Sequence, residues 1–134
     1  MDKNTQPSEN SLTSKKILLV EDNQMNSDML SRRLERRGYK VVLAVDGLEA
    51  VDKSTTENPD LILMDISLPN MDGWEATLKL KKNNNTKNIP LIIITAHALK
   101  ADRKKAFEIG CDDFDVKPID FKRLMSKIET QLEK

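Results

Sequence analysis

Pro59 to Pro69 reads "PDLILMDISLP". Leu61 to Met64 is an unbroken apolar run of strand length, the pattern of a strand covered on both faces in a parallel sheet. The run ends on a carboxylate, Asp65. Why an apolar strand should end on an acid is the question the rest of the chain has to answer.

Outward from this stretch the chain alternates two periods. Ile17–Val20 is a short buried strand, and after "EDN" the spacing puts Met25, Met29, Leu30 and Leu34 on one helical stripe that Gly38 stops. Val41–Val45 reads as the next strand, then a helix over about 47–57 ended by Asn58-Pro59. After Leu61–Met64 comes a loop with Pro69 and "MDG", a helix carrying Trp74, Leu78 and Leu80, and the polar run "KKNNNTKN", which reads as a solvated loop. Leu91–Ile94 is a fourth strand, followed by a helix over about 98–109 that closes at Gly110. A brief strand at 113–116 precedes Pro118 and a last helix bearing Phe121, Leu124, Met125, Ile128 and Leu132. Residues 1–14, "MDKNTQPSENSLTS", hold almost nothing to bury and read as a flexible tail, with the domain spanning 15–134.

Five strand-helix pairs imply an α/β fold, an open parallel sheet with helices on both faces, because parallel neighbours need crossover connections. The 134 residues suffice for one such domain. Lys plus Arg (22) equals Asp plus Glu (22), which gives no charge-based reason to expect nucleic acid or a membrane surface as a partner. The one cysteine, Cys111, excludes an intramolecular disulfide, and no apolar run approaches the roughly 20 residues that cross a bilayer. A soluble protein of the reducing cytoplasm is expected, with Cys111 a small buried filler.

In open α/β sheets ligands bind outside the carboxyl ends of the strands. Glu21 and Asp22 follow the first strand, Asp65 the third, Thr95 and Ala96 the fourth, and Lys117 and Pro118 the fifth. Taken singly, Asp65 reads equally as a cap, Thr95 as a β-branched strand residue and Lys117 as a surface lysine. Brought together, three carboxylates repel one another unless a cation neutralises them. Oxygen ligands without His or Cys suit a hard ion such as Mg²⁺, with Mn²⁺ as an alternative, and Lys117 is a monovalent partner for the same acids or for a bound anion.

The motifs "ILLVEDN", "PDLILMDISLPNMDG", "PLIIITAHA" and "GCDDFDVKPID" resemble the receiver domain of two-component response regulators over nearly all of residues 15–134. The resemblance implies a flavodoxin-like, doubly wound sheet of five strands in the order 2-1-3-4-5 with five helices. It implies that Asp65 is the phosphoacceptor, taking a phosphoryl group from a phosphohistidine on a sensor histidine kinase or histidine phosphotransfer protein. Glu21, Asp22, Asp65 and the backbone carbonyl of Ser67 would hold Mg²⁺, and Lys117 would bind a phosphoryl oxygen, with a cis Lys117–Pro118 bond. Thr95 would swing toward the phosphoryl group and Phe114 turn inward behind it, switching the face of the fourth helix, fifth strand and fifth helix for a downstream protein target. Ser67 and His97 occupy positions that tune phosphoryl lifetime. Two departures stand out: Glu21 where aspartate is common, and Phe114 where tyrosine is common.

Single-domain action as a monomer or weak homodimer is the expected role, with an isolated receiver of a hybrid histidine kinase as the alternative. No direct nucleic-acid or membrane binding is expected. A metal-dependent phosphatase with an aspartate nucleophile is a rival, but its motif places an acid where this chain has Ser67. A nucleotide or flavin module would need a glycine-rich loop after the first strand, and a degenerate receiver would lack one of the five key residues. The tract "RRLERR" at 32–37 reads as a docking patch or a solvated helix face, His97 as an ordinary surface histidine, and Trp74 as a reporter beside the crevice.

Overall fold

The computed structural model describes residues 15–66, 71–96 and 100–134. Within these residues five strands and five helices alternate: β1 (Lys16–Val20), α1 (Gln24–Arg36), β2 (Lys40–Ala44), α2 (Gly47–Thr56), β3 (Leu61–Asp65), α3 (Gly73–Lys82), β4 (Leu91–Thr95), α4 (Lys100–Glu108), β5 (Asp113–Val116) and α5 (Phe121–Leu132). The strands form one parallel sheet in the order β2-β1-β3-β4-β5, which is the expected order 2-1-3-4-5. The strand order reverses between the parallel neighbours β1 and β3, and this switch point creates the crevice.

Strand alternation divides the core in two. Leu18, Val20, Ile62, Met64, Leu91, Ile93 and Phe114 pack with Ala50 of α2, Ala76 and Leu80 of α3 and Ala106 of α4. Their neighbours Ile17, Leu19, Leu61, Leu63, Ile92 and Ile94 pack on the other face with Leu30 and Leu34 of α1 and Leu124, Met125 and Ile128 of α5. The apolar runs are therefore continuous because both faces are covered, as a parallel sheet requires.

Local chemistry sets the helix ends. Asn23, Asp46, Asp72 and Asp120 are N-caps whose side chains accept the backbone N–H three residues on. Gly38 and Gly110, at φ 94° and 108°, reverse the chain after α1 and α4.

Several apolar positions differ from the periodicity reading. Met25 and Met29 are 77% and 56% exposed, and α1 instead buries Ser27, Leu30 and Leu34. Leu78 is also exposed, since the inward face of α3 is made by Gly73, Ala76, Thr77 and Leu80. Val45 lies beyond the end of β2 and is exposed. The run "KKNNNTKN" is more than a solvated loop: Thr86 is buried and its hydroxyl donates to the Leu80 carbonyl at 2.7 Å. The expected tail at 1–14 lies outside the described residues.

Lys81 ties this loop to the sheet. Its ammonium donates to the carbonyls of Lys87 (3.1 Å) and Ile89 (2.8 Å) and to Asp112 Oδ2 (2.9 Å). Lys81→Met removes three donors from one point, and we expect a loss of about 2 kcal/mol, read as a lower urea midpoint at unchanged slope.

Cys111 is buried, as expected of a filler. Burial, then the charges of Asp112 and Asp113, push its thiol up to about 12. The thiolate is the reactive form, so at pH 8.5 native protein should react with a disulfide reagent at least about 100-fold more slowly than urea-unfolded protein. Equal rates would contradict the burial.

Candidate functional site

Each acid of the site is set by the strand beneath it. Glu21 is the first residue past β1, and its N–H donates to the Ala44 carbonyl of β2 at 3.0 Å, which extends the sheet edge by one bond. Asp65 is the last residue of β3, paired with Ile94 in the sheet register, and not the first residue beyond it. Thr95 similarly ends β4, opposite Val116. Both side chains are almost wholly buried, Asp65 at 7% and Thr95 at 3% exposure.

The three carboxylates converge. Glu21, Asp22 and Asp65 each offer an oxygen within 4.8 Å of the others, Glu21 and Asp65 buried and Asp22 exposed. Lys117 reaches in from the loop after β5: its Nζ donates to Asp65 Oδ2 at 2.9 Å and to Glu21 Oε1 at 3.2 Å. The lysine backbone is fixed as well, since its N–H donates to the Thr95 carbonyl at 2.8 Å and the Lys117–Pro118 peptide bond is cis.

The charges respond to this packing. Burial raises the Glu21 pKa above its ordinary 4.5, and Asp65 adds to the rise, while the Asn23 N–H and Lys117 partly offset it. Burial alone would lower the Lys117 pKa, but the hydrogen bond and charge of Asp65, then those of Glu21, leave it above 10.5. One ammonium thus balances a cluster with room for more positive charge. The all-oxygen donor set, part buried and part open to solvent through Asp22, fits a hard divalent ion that keeps some of its waters.

Two glycines press on the described residues at either end of the β3–α3 connection. A Cβ on Gly73 would lie 2.4 Å from the Asp65 carbonyl oxygen and 2.6 Å from Ile66 Cα, and a Cβ on Gly47 would lie 2.2 Å from the Met71 carbonyl oxygen. Only glycine permits α2 and the start of α3 to approach this closely. Trp74, next to Gly73, is half-buried beneath α4, with the Lys105 ammonium 4.5 Å from its ring centroid.

Ser67 and His97 lie outside the described residues. Phe114 is already inward, at 2% exposure, so in this state no inward turn is left for it to make. Arg33 and Arg37 of the "RRLERR" tract stack over Phe121, at 4.5 and 5.6 Å from its centroid, and Arg37 pairs with Glu129 at 3.8 Å. Part of the tract therefore fastens α1 to α5. Beside it a cavity of about 400 Å³ opens between α1 and the Lys117 loop, lined by Asn26, Met29, Leu30, Arg33, Lys117, Pro118 and Ile119.

One charged pair escaped the sequence reading. Asp115, at 4% exposure, faces α5 and accepts from Arg123 Nε at 2.8 Å, and Arg123 also reaches the Val116 carbonyl at 3.4 Å. Lys127 donates to the Phe114 carbonyl. These cations, four residues apart on α5, hold the edge strand immediately before Lys117. An Asp and an Arg eight positions apart carry no periodic signal that would have announced it.

Residues 17–129 match the family model of the response regulator receiver domain. The polar-differentiation response regulator DivK of Brucella anthropi is 38% identical over 118 residues, covering 88% of this chain and 96% of that protein. Among solved structures, the receiver domain of a sensor histidine kinase from Pseudomonas aeruginosa, with a magnesium ion coordinated in its active-site cleft, superposes with a TM-score of 0.84 at 34% identity, covering 91% of this chain and 100% of that one. A CheY-like receiver domain protein from Methanospirillum hungatei gives a TM-score of 0.83 at 30% identity, covering 90% and 95%. Among the described residues no helix is long and apolar enough to cross a membrane.

Proposed function

Because the chain belongs to the response regulator receiver family, we propose that it accepts a phosphoryl group on Asp65 from a phosphohistidine of a kinase or phosphotransfer protein and passes the signal on by protein contact. The observation that carries this reading is the position of Asp65: a nucleophile at the end of a fully covered strand, held 2.9 Å from Lys117 and within a cluster of three acids.

The chain's own residues have distinct tasks. β3 fixes the backbone of Asp65 at the crevice, which lowers the orientational cost of attack on phosphorus. Lys117 would take over an oxygen of the incoming phosphoryl group and stabilise its charge. Thr95, at the end of the neighbouring strand, would hold another. Glu21, Asp22, Asp65 and the Ser67 carbonyl would hold Mg²⁺, which when bound supplies positive charge against the acids and the phosphoryl oxygens. The cavity between α1 and the Lys117 loop, with Met25 and Met29 exposed on α1, supports approach of the donor protein from that side.

Phosphorylation would then favour one arrangement of Thr95 and Phe114 among those already accessible. With Phe114 buried as described, the modified protein would hold this inward state rather than create it. The face formed by α4, β5 and α5 would present the result to a target, in the cytoplasm, as a stand-alone regulator. The chain resembles both a DivK regulator and a receiver carried by a sensor histidine kinase over nearly the whole of each.

Lys117→Ala separates the two halves of the proposal. Without the ammonium the acids keep their reason to bind a divalent ion, so Mg²⁺ uptake, followed by Trp74 emission or calorimetry, should be retained. Uptake of phosphoryl from acetyl phosphate should slow by about 10²-fold or more. Unchanged phosphorylation in this variant would remove Lys117 from the mechanism.

A further inference from the structure

We propose that Asp115 and Arg123 are positioning residues for the phosphoryl-transfer site: the pair clamps both ends of the connection that carries Lys117 and so fixes where its ammonium meets Asp65. The inference rests on the reading of Asp65 as phosphoacceptor with Lys117 as its partner, and adds two residues that act only through Lys117.

Lys117 sits in the short connection 117–120 between β5 and α5. β5 is the last strand of the sheet, so its outer edge has no strand neighbour. Side chains close that edge instead. Asp115 Oδ1 accepts the N–H of Val116, the residue before Lys117, at 2.8 Å, and accepts from Arg123 Nε, also at 2.8 Å. Arg123 Nη2 reaches the Val116 carbonyl at 3.4 Å, and its Nη1 lies 3.9 Å from Asp120 Oδ2 on the other side of the connection. The backbone N–H of Arg123 also donates to Asp120 Oδ1 at 3.1 Å. One guanidinium therefore meets the chain both before and after Lys117. On the sheet side the Lys117 N–H is bonded to the Thr95 carbonyl at 2.8 Å, so the lysine side chain starts from a point held on two sides.

Stability gives little reason for an acid at this position. Asp115 stands opposite Ile94 in the sheet register, on the side that α5 covers with Leu124 and Ile128. Its Oδ2 is buried with no hydrogen-bond partner among the described residues. Desolvating a carboxylate costs free energy that one ion pair need not return, and apolar side chains of like volume often hold such a position as well or better. An apolar pair cannot bond the Val116 N–H and carbonyl together, nor reach Asp120. What the charged pair adds is geometry, delivered to the residue beside Lys117. That geometry matters because the Lys117 ammonium has to meet Asp65 Oδ2 at 2.9 Å and Glu21 Oε1 at 3.2 Å. An error of about 1 Å in placing a catalytic group costs up to about 10²-fold in rate. The same strand and helix carry a built-in comparison. Asp113 and Lys127 pair at 3.6 Å and Asp113 Oδ1 accepts the Phe114 N–H at 2.7 Å, but they grip Phe114 and not the connection.

The experiment compares the full chain carrying Asp115→Leu with Arg123→Met against wild type, reading the urea midpoint, amide exchange at Lys117, and the initial rate of phosphoryl uptake from acetyl phosphate with saturating Mg²⁺. Rates are taken well below the urea transition and per folded protein, so a change in stability does not enter them. The double variant should keep or exceed the wild-type midpoint, yet take up phosphoryl about tenfold or more slowly, with the Lys117 amide exchanging faster. Added to Lys117→Ala, the same two substitutions should slow uptake by less than about twofold further, because the clamp has nothing left to place. Arg123→Lys should be slow as well, since an ammonium keeps the charge but cannot meet Asp115, Val116 and Asp120 together. Asp113→Leu with Lys127→Met should react within about twofold of wild type. A wild-type rate in the Asp115 and Arg123 variant, equal slowing in the Asp113 and Lys127 variant, or an undiminished further loss on top of Lys117→Ala would overturn the proposal. A midpoint well below wild type would overturn the claim that the pair serves position and not stability. Wild-type protein that gains no phosphoryl mass sinks the phosphoacceptor reading, and the Lys117 amide then decides the clamp alone: faster exchange in the double variant upholds it, and unchanged exchange overturns it.

Discussion

Asp65→Asn should abolish phosphoryl uptake while leaving the domain folded. The amide is nearly isosteric with the carboxylate, and its oxygen still accepts from Lys117, whose Nζ is 2.9 Å from Asp65 Oδ2 in the native protein. Strand β3 loses none of its backbone pairing, so circular dichroism and the thermal transition should show a native fold. What disappears is the anionic oxygen that attacks phosphorus, and an amide has no comparable nucleophilicity. The expected change is from full modification to none, read by intact mass after treatment with acetyl phosphate. The variant should also bind Mg²⁺ more weakly, because one of three clustered acids has lost its charge. A variant modified as fast as wild type would place the acceptor elsewhere.

Gly73→Ala should damage both the fold and the site with a single methyl group. The new Cβ would stand 2.4 Å from the Asp65 carbonyl oxygen, which is backbone and has no rotamer to change. Either α3 retreats, breaking the Gly73 N–H bond to the Ile66 carbonyl at 2.8 Å, or the end of β3 moves. We expect a destabilisation of about 2–3 kcal/mol from the overpacking. Displacing Asp65 by even a fraction of an ångström disturbs its alignment with Lys117, so phosphorylation of the folded fraction should slow by about 10–100-fold. The two effects are separable: urea melts report the first, and initial rates well below the melting range report the second. A variant that melts as wild type and reacts at the wild-type rate would contradict the close approach.

The site was legible in the sequence where the strands were. Apolar runs such as Leu61–Met64 stop abruptly, so the residues at their ends could be named, and a parallel sheet must bring those ends to one side. Glu21, Asp22, Asp65, Thr95 and Lys117 all followed from that rule. Helix faces were read less well. Met25, Met29 and Leu78 sit at the edges of apolar stripes, where a rotation of one residue decides between core and solvent, and periodicity does not resolve so small an angle. The Asp115–Arg123 pair was invisible for a different reason: an acid in a short strand reads as solvent-facing until the helix that covers it is known to supply an arginine. The inward position of Phe114 depends on α4 packing and on Arg103, neither of which spacing in β5 reveals.

The central claim is that Asp65 is the phosphoacceptor. The most direct measurement is the intact mass of wild-type protein after incubation with acetyl phosphate and Mg²⁺, followed by fragmentation to locate the adduct and a parallel sample in EDTA. A single phosphoryl group on the fragment containing Asp65, absent in EDTA, is the predicted result. No added mass in the presence of Mg²⁺, or an adduct on another residue such as His97, would contradict the account.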